Sequence, residues 1–263
     1  MNRFLLSVLL LAGAVHAQPW ARERLDKSPR HGEWITVKHD GRSVDAFVAY
    51  PEIKEKAPVV LVIHEIFGMS DWVQLMADEL AEAGFIAIAP DLLSGMGPNG
   101  AGTKSFASGD VGQAIGKLPP DQITGDLNAA ADWALKQPAA NGKLFVAGFC
   151  YGGGQTFRYA TNRPDLKGAF VFYGTPPAAD AMAKIHAPVY GFYAGNDARI
   201  TAGVPDTQEK MKAAGKAYEP VTYDGAGHGF MRAGDDPAGT PANVKARNEA
   251  LARMKSLIQS LNK

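Results

Sequence analysis

Lys143-Leu144-Phe145-Val146-Ala147-Gly148-Phe149-Cys150-Tyr151-Gly152-Gly153-Gly154 is the stretch on which the reading of this chain turns. The apolar run Leu144 to Phe149 is strand-like, and Gln155 to Ala160 suits a helix. Between them Gly148-Phe149-Cys150-Tyr151-Gly152 has the pattern of a nucleophile elbow, with the sole cysteine of the sequence at its apex. The glycines two residues either side have a steric purpose, because a sharp strand-turn-helix leaves no room for a Cβ there. Such a turn puts the sulfur at the start of a helix, where backbone N–H groups favour the thiolate. A buried cysteine beside a glycine-rich turn would use the same letters, since free cysteine is among the most buried residue types. The surrounding sequence separates the two readings.

Working outward, Val59–Ile63, Phe85–Ala89, Ala169–Tyr173 and Val189–Ala194 are continuous apolar runs of strand length, the pattern of strands buried on both faces. Helical periodicity lies between them: Ser70–Ala83 with Ser70 as N-cap and Gly84 as stop, Asp121–Lys136, Val204–Ala214, and a long closing helix over Asn243–Leu261. Strand, helix and strand at this spacing form right-handed βαβ units. Glu33–Lys38 and Ser43–Tyr50 alternate around Asp40-Gly41 as an antiparallel hairpin does, and Tyr218–Tyr223 is a further strand. The expectation is one α/β domain over 18–263, with a mostly parallel sheet, helices on both faces and an N-terminal antiparallel hairpin.

Residues Met1–Ala17 have a basic start at Arg3, an apolar run from Phe4 to Val15, and Val15-His16-Ala17 before Gln18. This reads as a secretory signal, too short in its apolar part for a membrane span, and predicts an exported, periplasmic or secreted protein with no stable membrane span after cleavage. Lys and Arg together number 27, as do Asp and Glu, and no basic cluster stands out, which excludes a nucleic-acid footprint and points to a small-molecule partner. A monomer is the expected state. A resolving cysteine is absent from the sequence, which disfavours a thiol redox sensor.

Two motifs are rejected, and neither a metal nor a cofactor is expected. Gly95-Met96-Gly97-Pro98-Asn99-Gly100 spells the dinucleotide fingerprint, but Pro98 and Gly102 oppose the helix it needs. His64-Glu65 begins like a zinc-protease helix, yet position 68 is Gly where the second ligand belongs. The irregular stretch Leu92–Asp121 is read as a lid or pocket wall.

A thiol nucleophile needs a base, and the base an orienting carboxylate. The strand Val189–Ala194 runs into Gly195-Asn196-Asp197, and Tyr218–Tyr223 into Asp224-Gly225-Ala226-Gly227-His228-Gly229, so Asp197 and His228 follow Cys150 in the order nucleophile, acid, histidine. Asp224 is the rival acid, but it lies too close to His228 in sequence for that order. After the strand Val59–Ile63 comes His64-Glu65-Ile66-Phe67-Gly68. In this topology the backbone N–H groups of Ile66 and Tyr151 would form an oxyanion hole, where one donor typically lowers a barrier by about 3 kcal/mol.

Together with Ala89-Pro90-Asp91-Leu92 and Gly225-Ala226-Gly227-His228-Gly229-Phe230, these segments resemble the dienelactone hydrolase family (carboxymethylenebutenolidases) of the α/β-hydrolase fold, in matching order from about Glu33 to the carboxyl terminus. The resemblance implies a Cys150, His228, Asp197 triad that hydrolyses a carboxylic ester or lactone through a thioester. It also implies that Glu65 pairs with the thiol at rest and takes its proton when substrate enters. Family members acting on dienelactone hold its carboxylate with two arginines. Arg232 matches one of them; where the other belongs, this chain has Leu93-Ser94-Gly95 and no arginine, and the sequence leaves open whether Arg199, Arg158 or another basic group replaces it. Loss of one charge-assisted contact, worth about 1.5–3 kcal/mol, would shift preference toward another ester or lactone. A short-chain esterase or thioesterase, and a ligand-binding member of the fold without turnover, are the alternatives.

Overall fold

The computed structural model describes residues 18–263, so Met1–Ala17, where the secretory signal is expected, lies outside the described residues. In chain order the elements are α1 (Pro19–Asp26), β1 (Gly32–His39), β2 (Arg42–Ala49), β3 (Ala57–Ile63), α2 (Asp71–Glu82), β4 (Ile86–Pro90), α3 (Val111–Gly116), α4 (Pro120–Leu135), β5 (Ala140–Phe149) and α5 (Tyr151–Tyr159). There follow β6 (Gly168–Phe172), α6 (Ala179–Met182), β7 (Val189–Ala194), α7 (Ala198–Thr201), α8 (Val204–Ala213), β8 (Tyr218–Tyr223), α9 (Phe230–Asp235) and α10 (Pro241–Leu261). The eight strands form one sheet in the order β1-β2-β4-β3-β5-β6-β7-β8. Strand β2 is antiparallel to both β1 and β4, and β3 to β8 pair in parallel.

The continuous apolar strands are explained by two cores, one on each face. Along β3, Val60 and Val62 enter the core under α1, α2 and α10, whereas Val59, Leu61 and Ile63 enter the core under α4 and α5. Strand β6 divides likewise, with Phe170 and Phe172 on the first face and Ala169 and Val171 on the second. The first core carries an aromatic row across neighbouring strands: Phe149 and Phe172 have ring centroids 4.7 Å apart, and Phe172 stacks on Phe192 at 4.2 Å. Each such ring contributes about 1.5–3 kcal/mol through burial, so the strand ends that carry the site rest on a rigid floor.

Helix α2 begins as expected, with the Ser70 hydroxyl accepting from the Val73 N–H. Helix α1 was not expected from the sequence. It buries only Ala21 and Leu25 and is held by charge instead: Arg24 bonds Glu79 and Asp235, while Gln18 Oε1 accepts from the Trp72 N–H at 2.8 Å. The stretch Leu92–Asp121 holds two single 3-10 turns and α3, and Gly95–Gly100 forms turns in which Asn99 is left-handed. This stretch walls a cavity between Trp34, Lys104 and Asp45, away from Cys150.

Candidate active site

Cys150 stands between the end of β5 and the first residue of α5, with φ 56° and ψ −114°. A non-glycine residue there stores about 1–3 kcal/mol, which persists only where the surroundings over-determine it. Here the Cys150 N–H donates to the Phe172 carbonyl at 3.1 Å, and its carbonyl accepts from the Gly154 N–H at 3.2 Å. The flanking glycines are required by close approach. A Cβ on Gly148 would sit 2.1 Å from the Gly152 carbonyl oxygen, and one on Gly152 would sit 2.2 Å from that of Ile63.

His228 and Asp197 arrive on the loops after β8 and β7. Asp197 occupies the N-cap position of α7 but makes no capping bond. Its Oδ2 lies 2.5 Å from His228 Nδ1, and His228 Nε2 lies 3.1 Å from Cys150 Sγ. With a carboxylate facing Nδ1, Nε2 is the nitrogen presented to sulfur. The imidazolium is favoured above its ordinary range, first by the hydrogen bond to Cys150 and then by Asp197, against the opposing effect of burial. Tyr173, a buried residue with φ 41°, packs edge-on to the imidazole with ring centroids 5.0 Å apart.

Glu65 is buried, and Arg232 Nε donates to its Oε2 at 2.7 Å. Burial pushes the Glu65 carboxyl upward, and the Arg232 and His228 cations pull it back. Arg232 also lies over the Phe67 ring, 4.9 Å from its centroid. The expected contact between Glu65 and the thiol is therefore replaced: sulfur faces His228, and Glu65 faces Arg232. His64 is structural, buried with Nδ1 on the Glu65 carbonyl and Nε2 accepting from the Leu92 N–H. Asp224 is exposed and has no hydrogen bond to His228.

A cavity of about 620 Å³ opens on Cys150 and His228, with Ile66 and Tyr151 in its wall. Among the described residues no acceptor is found for the backbone N–H of either Ile66 or Tyr151. Both are left as unpaired donors beside the cavity. The remaining wall includes Arg158, Arg199 and the segment Thr175–Ala178, and Arg232 is not part of it.

Residues 44–261 match the family model described as "Dienelactone hydrolase family". The chain belongs to the dienelactone hydrolase family. It is therefore a hydrolase of ester or lactone bonds. Among relatives, a protein of Salmonella typhi provisionally named carboxymethylenebutenolidase is 34% identical over 209 residues, covering 74% of this chain and 76% of the relative. One of Saccharolobus solfataricus with the same provisional name is 31% identical over 262 residues, covering 87% and 98%. A crystal structure of a provisionally named dienelactone hydrolase from Klebsiella pneumoniae superposes with a TM-score of 0.76 at 26% identity, covering 88% of this chain and 98% of that one.

Sequence reasoning in this dienelactone hydrolase family member missed Tyr173 and the Thr175–Ala178 wall. Tyr173 ends an apolar run, and its letters alone do not distinguish a core tyrosine from one that braces a histidine.

Proposed function

We propose that this protein hydrolyses its ester or lactone with Cys150 as nucleophile, His228 as proton carrier, Asp197 as the group that orients His228, and Ile66 and Tyr151 N–H groups as the oxyanion hole. The observation that carries this reading is the single hydrogen-bonded line from Asp197 through His228 to Cys150 Sγ, ending beside two unpaired backbone donors.

The Cys150 thiolate attacks the carbonyl carbon, a C–S bond forms, and the carbonyl π pair moves onto oxygen. That oxyanion lies in the hole, where fixed donors stabilise it without reorganisation. Collapse breaks the C–O bond, and the leaving oxygen takes the proton from His228 Nε2. A lactone opens here, its enolate or alkoxide staying attached to the acyl chain. Water then attacks the thioester as neutral His228 removes its proton, the C–S bond breaks, and acid and thiolate are released.

Glu65 holds Arg232 and lies next to the site without entering this line. Dienelactone is the first substrate to try, with p-nitrophenyl acetate beside it. In Cys150→Ala, turnover of both should fall by at least about a thousandfold, and mass spectrometry of the rapidly quenched wild type should detect an acyl adduct on Cys150. Wild-type turnover in Cys150→Ala would overturn the assignment.

A further inference from the structure

Asp71 is the first residue of α2, and among the described residues no lysine or arginine pairs with it. Its Oδ2 accepts instead from the backbone N–H of Gln18, 3.2 Å away. Gln18 immediately precedes α1, and both of its carbonyl groups are engaged as well. Oε1 accepts from the Trp72 N–H at 2.8 Å, and the main-chain oxygen accepts from the N–H groups of Ala21 and Arg22 at 2.8 and 3.0 Å. Pro19 keeps the residue before it out of the helical region, and Gln18 has φ −117° and ψ 85°, which turns its nitrogen toward α2.

Beyond Gln18 the same segment is tied to α2 along its length. Ala21 and Leu25 are buried, Arg24 bonds Glu79, and Ser28 Oγ donates to Asp78 Oδ1 at 2.6 Å. Trp72, whose N–H donates to Gln18, is buried with Nε1 donating to Asp235 Oδ2 at 2.8 Å. Asp235 closes α9, the helix that carries Arg232. The first turn of α2 thus holds residue 18 at two points. Position 18 is also the first after Val15-His16-Ala17, whose small-x-small letters are those of a leader cleavage site.

We propose that the Ala17–Gln18 bond is the processing site of this chain, and that the amino group released there is built into the fold as the cation of Asp71. Hydrolysis by a leader peptidase adds the hydroxyl of water to the Ala17 carbonyl carbon and a hydrogen to the Gln18 nitrogen. The amine, largely protonated at neutral pH, takes a further proton from solvent. A neutral peptide N–H becomes an ammonium with three donors, placed 3.2 Å from a carboxylate. Charge-assisted bonds are roughly twice as strong as neutral ones, so the cut tightens the contact between α1 and α2. The inference stands apart from the assignment of Cys150.

The full-length chain, expressed in a Gram-negative host and recovered from the periplasmic fraction, should give the intact mass of a chain that begins at Gln18 with its amine free. A chain that keeps Met1 or begins at any other residue would overturn the proposal. So would a terminus wholly cyclised with loss of ammonia, because cyclisation removes the charge.

A glycine inserted between Ala17 and Gln18 keeps the peptidase site, moves the amine one residue away and leaves a peptide N–H at Gln18. This insertion and Asp71→Asn should each lower the thermal midpoint by about 2–4 °C, and the two together by little more than either alone. The combination matters because Asp71 also stabilises the first turn of α2 through the helix dipole. Additive losses would mean that its carboxylate serves α2 only, and would overturn the pairing. Should Asp71→Asn not fold, the insertion carries the test: a lowered midpoint supports the docked amine, and an unchanged one counts against it.

Discussion

Two buried carboxylates flank the candidate site, and they differ in the cation that each one holds. Asp197 faces His228, whose other nitrogen reaches the sulfur. Glu65 faces Arg232, whose planar cation lies over Phe67. Imidazole releases a proton near neutral pH, and guanidinium does not. The first pair can therefore exchange a proton with the sulfur it faces, whereas the second can only maintain a fixed charge and a shape. Two similar ion pairs beside the site thus have different chemistry open to them because of the partner cation alone.

The sharpest way to break this contrast is Asp197→Asn. An amide accepts from Nδ1 less strongly and can impose the wrong tautomer, so kcat should fall by roughly 10³–10⁴-fold, with folding intact by circular dichroism. Glu65→Gln should do much less. It keeps an acceptor for Arg232 but removes the charge, so kcat/KM should fall by about tenfold while the thermal midpoint drops, because the half-buried Arg232 cation is left uncompensated. A loss as large as that of Asp197→Asn, with a shifted pH–rate profile, would place Glu65 in the proton path and erase the distinction.

The smallest effect concerns stability. His228 has its folded-state pKa raised above the ordinary 6.5, chiefly by the hydrogen bond to Cys150. Its contribution is therefore complete below about pH 6.5 and is lost as pH rises through the raised value. Melting curves of wild type and His228→Gln should differ most near pH 6 and converge towards pH 9. A gap that widens with pH would contradict the sign of the shift.

Much of the fold was legible in the sequence because each central strand is buried on both faces, which demands an unbroken apolar run such as Val59–Ile63 or Val189–Ala194. The hairpin at Asp40-Gly41 was legible for the opposite reason, since its edge strand β1 alternates between exposed residues and partly or fully buried ones. Helix α1 was not, because ion pairs with Arg24 and a bond from Gln18 hold it, and neither leaves a periodic pattern. In the site, Cys150, Asp197 and His228 could be chosen by order alone, each at a loop that follows a strand. The partner of Glu65 could not be chosen, because Glu65 and Arg232 lie 167 positions apart.

The sequence by itself determined the parallel sheet, the glycines that allow a left-handed cysteine, and the order in which thiol, acid and histidine occur. These are local properties: apolar periodicity and the absence of a Cβ act within a few residues. The tertiary structure alone decided that sulfur faces His228 and that Glu65 and Arg232 pair together. Those outcomes depend on which loops meet at the sheet's edge and on which charges burial leaves within reach, and no stretch of the chain encodes that separately.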